Sequence, residues 1–100
     1  MNYKKDMEKL IHIIEPIIEL LTISEEYSYA KLFKNCSKEC KHVNNEKEAD
    51  QIRRVMLRIY QGGMGAFNDL ALYKDGKLWS RHSEFDELST KLFNTLKDQL

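Results

Sequence analysis

The chain of 100 residues has one proline, four glycines and two cysteines, and its formal net charge is zero. Each scarcity excludes something. With one proline and so few glycines, no linker or low-complexity tract divides it, and its length suits a single domain spanning 1–100. Two cysteines cannot build a disulfide scaffold. Zero net charge gives no whole-chain signature for nucleic acid or a membrane surface. No apolar run approaches the ~18–20 residues of a membrane span. The start, Met1-Asn2-Tyr3-Lys4-Lys5-Asp6, does not read as a secretory signal, because the apolar run behind it is interrupted by His12, Glu15 and Glu19. A cytoplasmic protein is expected.

What is present is a helical pattern. Hydrophobic residues make up 42% of the chain, enough for a core. Over 3–21, Met7, Leu10, Ile11, Ile14, Ile17, Ile18 and Leu21 recur at three- and four-residue steps on one face. Pro16 cannot donate to the carbonyl of His12, so a kink or restart is expected there. Thr22 or Ser24 is placed to cap a second helix from about Glu25 to Lys38, with Tyr29, Leu32, Phe33, Cys36 and Cys40 inward. Asn45-Glu46-Lys47-Glu48 resembles a capping box and opens a third helix over 46–61. Its expected inward residues are Ala49, Ile52, Val55, Met56, Ile59 and Tyr60, with Gly62 as a stop. Two short apolar runs flank Lys74-Asp75-Gly76, a hairpin signal. Ser83 then caps a last helix over about 84–99, lined by Phe85, Leu88, Leu92, Phe93, Leu96 and Leu100. The fold class is therefore α+β, mostly α: about four helices, with one β-hairpin between the third and the last.

Charge is unevenly spread. Residues 1–27 carry three Lys against six Asp and Glu, and residues 82–100 two against four. Residues 28–59 carry eight Lys and Arg against four acids. The ends are acidic and the middle is basic. Lys31, Lys34, Lys38, Lys41, Arg53, Arg54 and Arg58 could meet phosphates, although acids interleave them and no recognition-helix motif accompanies them.

Three glycines fall within four positions, in Gly62-Gly63-Met64-Gly65-Ala66-Phe67-Asn68-Asp69. A phosphate loop needs strand, loop, helix, so that a positive helix N-terminus faces the anion. Here the loop follows a helix C-terminus, whose partial charge is negative. The motif reads as architecture: a tight reversal, with Met64 and Phe67 plugging the core and Asn68 or Asp69 bonding local amides.

Other constellations are weaker. Cys36, Cys40 and His42 would need a fourth, distant ligand to hold zinc, and they fit a buried core stripe as well. His12, His42 and His82 lie in three elements with no shared motif, which argues against a general acid–base pair. No catalytic residue, metal or cofactor is assigned. Tyr27 lies off the apolar face of its helix, and one face of the hairpin is left to solvent. Both are candidate partner anchors.

The block Ile59-Tyr60-Gln61-Gly62-Gly63-Met64-Gly65-Ala66-Phe67-Asn68-Asp69-Leu70 resembles a family of small bacterial proteins that carry GGMGSFNDL between a helix and a hairpin. Ala66 stands where that family has serine. Proteins of this kind resemble immunity proteins of contact-dependent growth inhibition and other polymorphic toxin systems. The resemblance implies a cytoplasmic inhibitor without catalytic residues, which covers the active site of a cognate toxin domain, a nuclease in the expected case. Such a site is basic, so the inhibitor surface should be acidic. The candidates are Glu15, Glu19, Glu25 and Glu26 with Tyr27, or Glu84, Asp86 and Glu87. The alternative is a small enzyme or nucleic-acid-binding regulator using the basic middle and the histidines.

Overall fold

In the computed structural model, which describes residues 2–61 and 67–100, the asparagines start two of the helices. The Asn2 side chain accepts from the Lys5 amide at 3.4 Å and opens α1 (Tyr3–Ile23). The Asn45 side chain accepts from the Glu48 amide at 2.9 Å and opens α3 (Glu46–Ile59). Glu48 completes a variant capping box by accepting from the Asn44 amide, one residue earlier than the usual arm. The remaining helices are α2 (Tyr27–Lys41) and α4 (His82–Gln99). Between α3 and α4 come a 3-10 turn (Phe67–Asp69) and an antiparallel hairpin of β1 (Tyr73–Lys74) and β2 (Lys77–Leu78). The mostly helical fold with one hairpin before the last helix is as the sequence predicts. The glycines and methionine of the motif, Gly62, Gly63, Met64 and Gly65, and Ala66 after them, lie outside the described residues.

Several boundaries differ from the sequence reading, each for a local reason. α1 runs unbroken through Pro16 to Ile23, carried by buried Leu20 and Leu21. Thr22 and Ser24 do not cap α2. Their hydroxyls donate back to α1, Thr22 to the Ile18 carbonyl and Ser24 to those of Leu20 and Leu21. The chain leaves α1 through Glu25 at φ 64°, with the Glu25 amide on the Thr22 carbonyl and the Glu26 amide on the Leu21 carbonyl. That is a Schellman arrangement with glutamate at the position glycine prefers. α2 consequently starts at Tyr27, two residues later than predicted. α4 starts two residues earlier, at His82, and Ser83 lies inside its first turn rather than at its cap.

The core gathers around α1, which packs against both α2 and α4. It includes Leu10, Ile14, Ile17 and Leu21 of α1, Phe33, Cys36 and Cys40 of α2, Met56 of α3, and Leu92 and Leu96 of α4. Phe67 is its aromatic centre. It is 1% exposed, and the rings of Tyr29, Phe33, Tyr60 and Phe85 all lie 5.0–5.4 Å from it. Phe67 therefore does plug the core. Asp69 is exposed. Three residues expected inside are largely outside: Leu32 at 38%, Val55 at 40% and Leu100 at 45% exposure.

Arg53 is the unexpected member of the interior. Its side chain is 1% exposed and fans out to three partners. Nε donates to Gln99 at 3.0 Å, Nη1 to Glu46 at 2.8 Å and Nη2 to Asp6 at 3.1 Å. Gln99 also donates to the backbone carbonyl of Asp6. One guanidinium thus ties the start of α1, the start of α3 and the end of α4 together. It also takes Arg53 out of any basic surface.

Candidate partner-binding face

The hairpin turn is Asp75-Gly76, with φ of 55° and 77°. Positive φ at both central residues is the two-residue turn that matches strand twist. The register then fixes the faces. Tyr73 pairs with Leu78, and Lys74 with Lys77. Cross-strand partners share a face and successive pairs alternate. The next pair inward is Leu72 with Trp79, whose amide donates to the Leu72 carbonyl at 2.8 Å. Leu72 is buried and anchors its face to the core. Tyr73 and Leu78 must then point the other way, and they are 57% and 56% exposed. The structure thus leaves an apolar pair side by side in solvent.

Other elements meet at this end of the molecule. The Leu72 amide donates to His82 Nδ1 at 3.3 Å, and the His82 amide to the Trp79 carbonyl at 3.0 Å. Both bonds fasten the hairpin to the start of α4. Phe67 bridges Phe85 of α4 to Tyr29 of α2. The start of α2 is therefore at the same end, and with it Glu25, Glu26 and Tyr27, the last 61% exposed. Arg53 and its partners mark the opposite end, where α1 and α3 start and α4 finishes.

Of the eight acidic and aromatic candidates, Glu25, Glu26, Tyr27, Glu84 and Asp86 gather at the hairpin end. Glu84 is held by Arg81 at 2.8 Å, and Asp86 lies 3.4 Å from His82 Nε2. Glu87 follows on α4, beside a shallow concavity of about 510 Å³ shared with Asp86, Thr90 and Asn94. Glu25, Glu26 and Glu87 have no ion-pair partner among the described residues. Glu15 and Glu19 are not part of this face. They line a groove against Lys34, Lys38 and Lys41, and Glu15 pairs with Lys41 at 3.5 Å. Neither Tyr73 nor Leu78 stands out in the sequence as a site residue by itself. The Asp-Gly turn held the signal, since a two-residue turn makes 73 and 78 opposite one another.

The three histidines occupy three separate neighbourhoods. His12 is exposed on α1, His42 ends α2 with Nδ1 2.8 Å from the Lys38 carbonyl, and His82 braces the hairpin. Cys36 and Cys40 are free, buried thiols. Burial pushes Cys36 up to about 11 and Cys40 to about 12, from an ordinary value of 9.0. Nearby Glu39 adds to both shifts, and Cys36 to that of Cys40. Protonated thiols at neutral pH are poor nucleophiles and poor metal ligands. Among the described residues, no three His, Cys, Asp or Glu side chains group to hold a metal ion. No helix among them is long and apolar enough to cross a membrane.

One family model matches the chain, over residues 23–80. The chain belongs to the DUF6966 family, a domain of unknown function. No curated protein and no solved structure matches it. The DUF6966 segment opens at the last residue of α1 and closes two residues before α4. It holds Tyr27, the glycine motif and the hairpin, hence both exposed anchors. The body of α1, against which α2 packs, and all of α4 lie outside it.

Proposed function

We propose that this DUF6966 protein is an immunity protein, binding a cognate bacterial toxin domain, in the expected case a nuclease, and covering its active site. The observation that carries the reading is the Tyr73–Leu78 pair, more than half exposed on the outward face of a hairpin pinned to the helices. Exposed large side chains on a rigid support are suited to anchor a protein interface. Tyr27 stands at the same end, with the unpaired carboxylates of Glu25 and Glu26 beside it. Those charges complement a phosphate-binding cleft and would speed encounter with it.

The test is co-expression with the toxin domain encoded beside it. A complex on a sizing column and rescue of growth are expected. Replacing Tyr73 and Leu78 together by alanine should weaken binding at least roughly tenfold while leaving the melting temperature unchanged. Absence of complex and of rescue with the native chain would overturn the reading.

A further inference from the structure

A second surface lies along α2, on the side turned away from the core. Tyr27, Lys31, Lys34, Lys38 and Lys41 follow one another at alternating four- and three-residue steps, so they form one ridge. All five are exposed. At 1.5 Å per residue the ridge runs about 21 Å. The lysines account for about 15 Å of it, with the ring of Tyr27 one turn beyond Lys31.

The internal charges do not explain this ridge. Like charges three and four apart on a helix repel. Lys38 and Lys41 gain from the negative end of α2, but Lys31 and Lys34 sit toward its positive half. The first turn of α2 has no acidic residue, and the acids ahead of it, Glu25 and the N-cap Glu26, make no ion pair with the ridge lysines among the described residues. Glu15 and Glu19 face the ridge across a groove of about 420 Å³ floored by Ile18 and Ser37. Among the described residues, however, the sole ion pair across it is Lys41–Glu15 at 3.5 Å, with both side chains more than half exposed. Lys31, Lys34 and Lys38 are left without an acidic partner.

We infer that the α2 ridge binds single-stranded nucleic acid, with the lysines on successive phosphates and Tyr27 as a platform for an unpaired base. A line of cations that tracks a backbone, joined to an exposed aromatic ring, is the arrangement that holds single strands without sequence readout. The ridge shares Tyr27 with the proposed partner face, but its four lysines take no part in the toxin-inhibitor reading, which rests on the Tyr73–Leu78 pair.

Fluorescence anisotropy with labelled oligo(dT) and oligo(U), each about twelve nucleotides long, tests it. Three or four phosphate contacts predict an affinity loss on the order of a hundredfold between about 25 and 200 mM salt. Lys34→Glu with Lys38→Glu should abolish binding, with circular dichroism unchanged because both side chains are in solvent. Tyr27→Ala should weaken binding roughly tenfold and leave the salt slope alone. Lys91→Glu, on α4, should change affinity less than twofold. The inference is overturned by absence of binding at the lowest salt, or by binding that survives the ridge substitutions. Equal affinity for a DNA duplex or for polyglutamate would also overturn it, since the surface would then read charge alone.

Discussion

Glu25 is the residue whose conformation most disagrees with its identity. A left-handed backbone costs a side-chain-bearing residue about 1–2 kcal/mol, a cost glycine avoids. Its amide and that of Glu26 make the two closing hydrogen bonds of α1, so the geometry itself is well built. Glu25→Gly should therefore stabilise the protein by about 1 kcal/mol, raising the melting temperature by roughly 4–8 °C for a domain of this size. Thermal denaturation followed by circular dichroism checks this, and an unchanged or lower midpoint would contradict the strain argument. The same variant removes one carboxylate from the proposed partner face. A more stable protein with weaker toxin binding would place Glu25 in the interface.

At the scale of elements, Arg53 holds three helix ends with one planar group, and the point charge of a lysine does not reproduce the fork that spreads its donors to Asp6, Glu46 and Gln99. Its carboxylate partners are partly solvated, at 38% and 43% side-chain exposure, so hydration would offset part of their loss. Glu46 Oε2, by contrast, is buried without a hydrogen-bond partner, which leaves that carboxylate dependent on the guanidinium. Arg53→Ala should destabilise by about 2–4 kcal/mol, and Arg53→Lys should recover only part of that, read as midpoints in urea titrations. A loss below about 0.5 kcal/mol, the range of an ordinary surface substitution, would show the clamp to be dispensable. This element also shows where sequence reading stops. Apolar periodicity located all four helices, and Asp75-Gly76 located the hairpin, because those signals are local. Arg53 lies on the inward side of α3 beside Ala49 and Met56, and a periodicity argument reads a charged residue there as outside. Its burial depends on Asp6 and Gln99, 47 and 46 residues away in sequence. Val55 reads as core from its apolar spacing yet stands 40% exposed, because hydrophobicity alone cannot say where α3 faces its neighbours. The partner face was legible in pieces, as Glu25, Glu26, Tyr27 and the hairpin. That these pieces share one end depends on Phe67 bridging α2 to α4, which only the tertiary structure supplies.

The whole molecule measures 45 × 24 × 20 Å, with the Arg53 clamp at one end and the hairpin at the other. Between them the interior holds three weak acids in neutral form. Cys36 and Cys40 are raised to about 11 and about 12 from 9.0, and Tyr60 to about 12 from 10.0, each chiefly by burial. In the unfolded chain the thiols lose protons near pH 9, while in the folded protein they keep them to higher pH. Between those values the native state binds more protons, so stability falls as pH rises. Below pH 9 the three groups are neutral in both states and this contribution is fully present. It is lost between about pH 9 and 12, with Tyr60 joining above pH 10. Urea midpoints measured from pH 7 to 11 should therefore hold level from these groups up to about pH 9 and then fall. Cys36→Ala with Cys40→Ala should make the fall shallower while lowering the midpoint at pH 7 through the cavity left behind. Thiol labelling gives an independent reading. At pH 8 both cysteines should react slowly in the folded protein and rapidly in denaturant, because the native barrier is burial as well as protonation. Fast labelling of the native protein at that pH would mean the α2 stripe opens to solvent, and the alkaline loss of stability should then disappear with it.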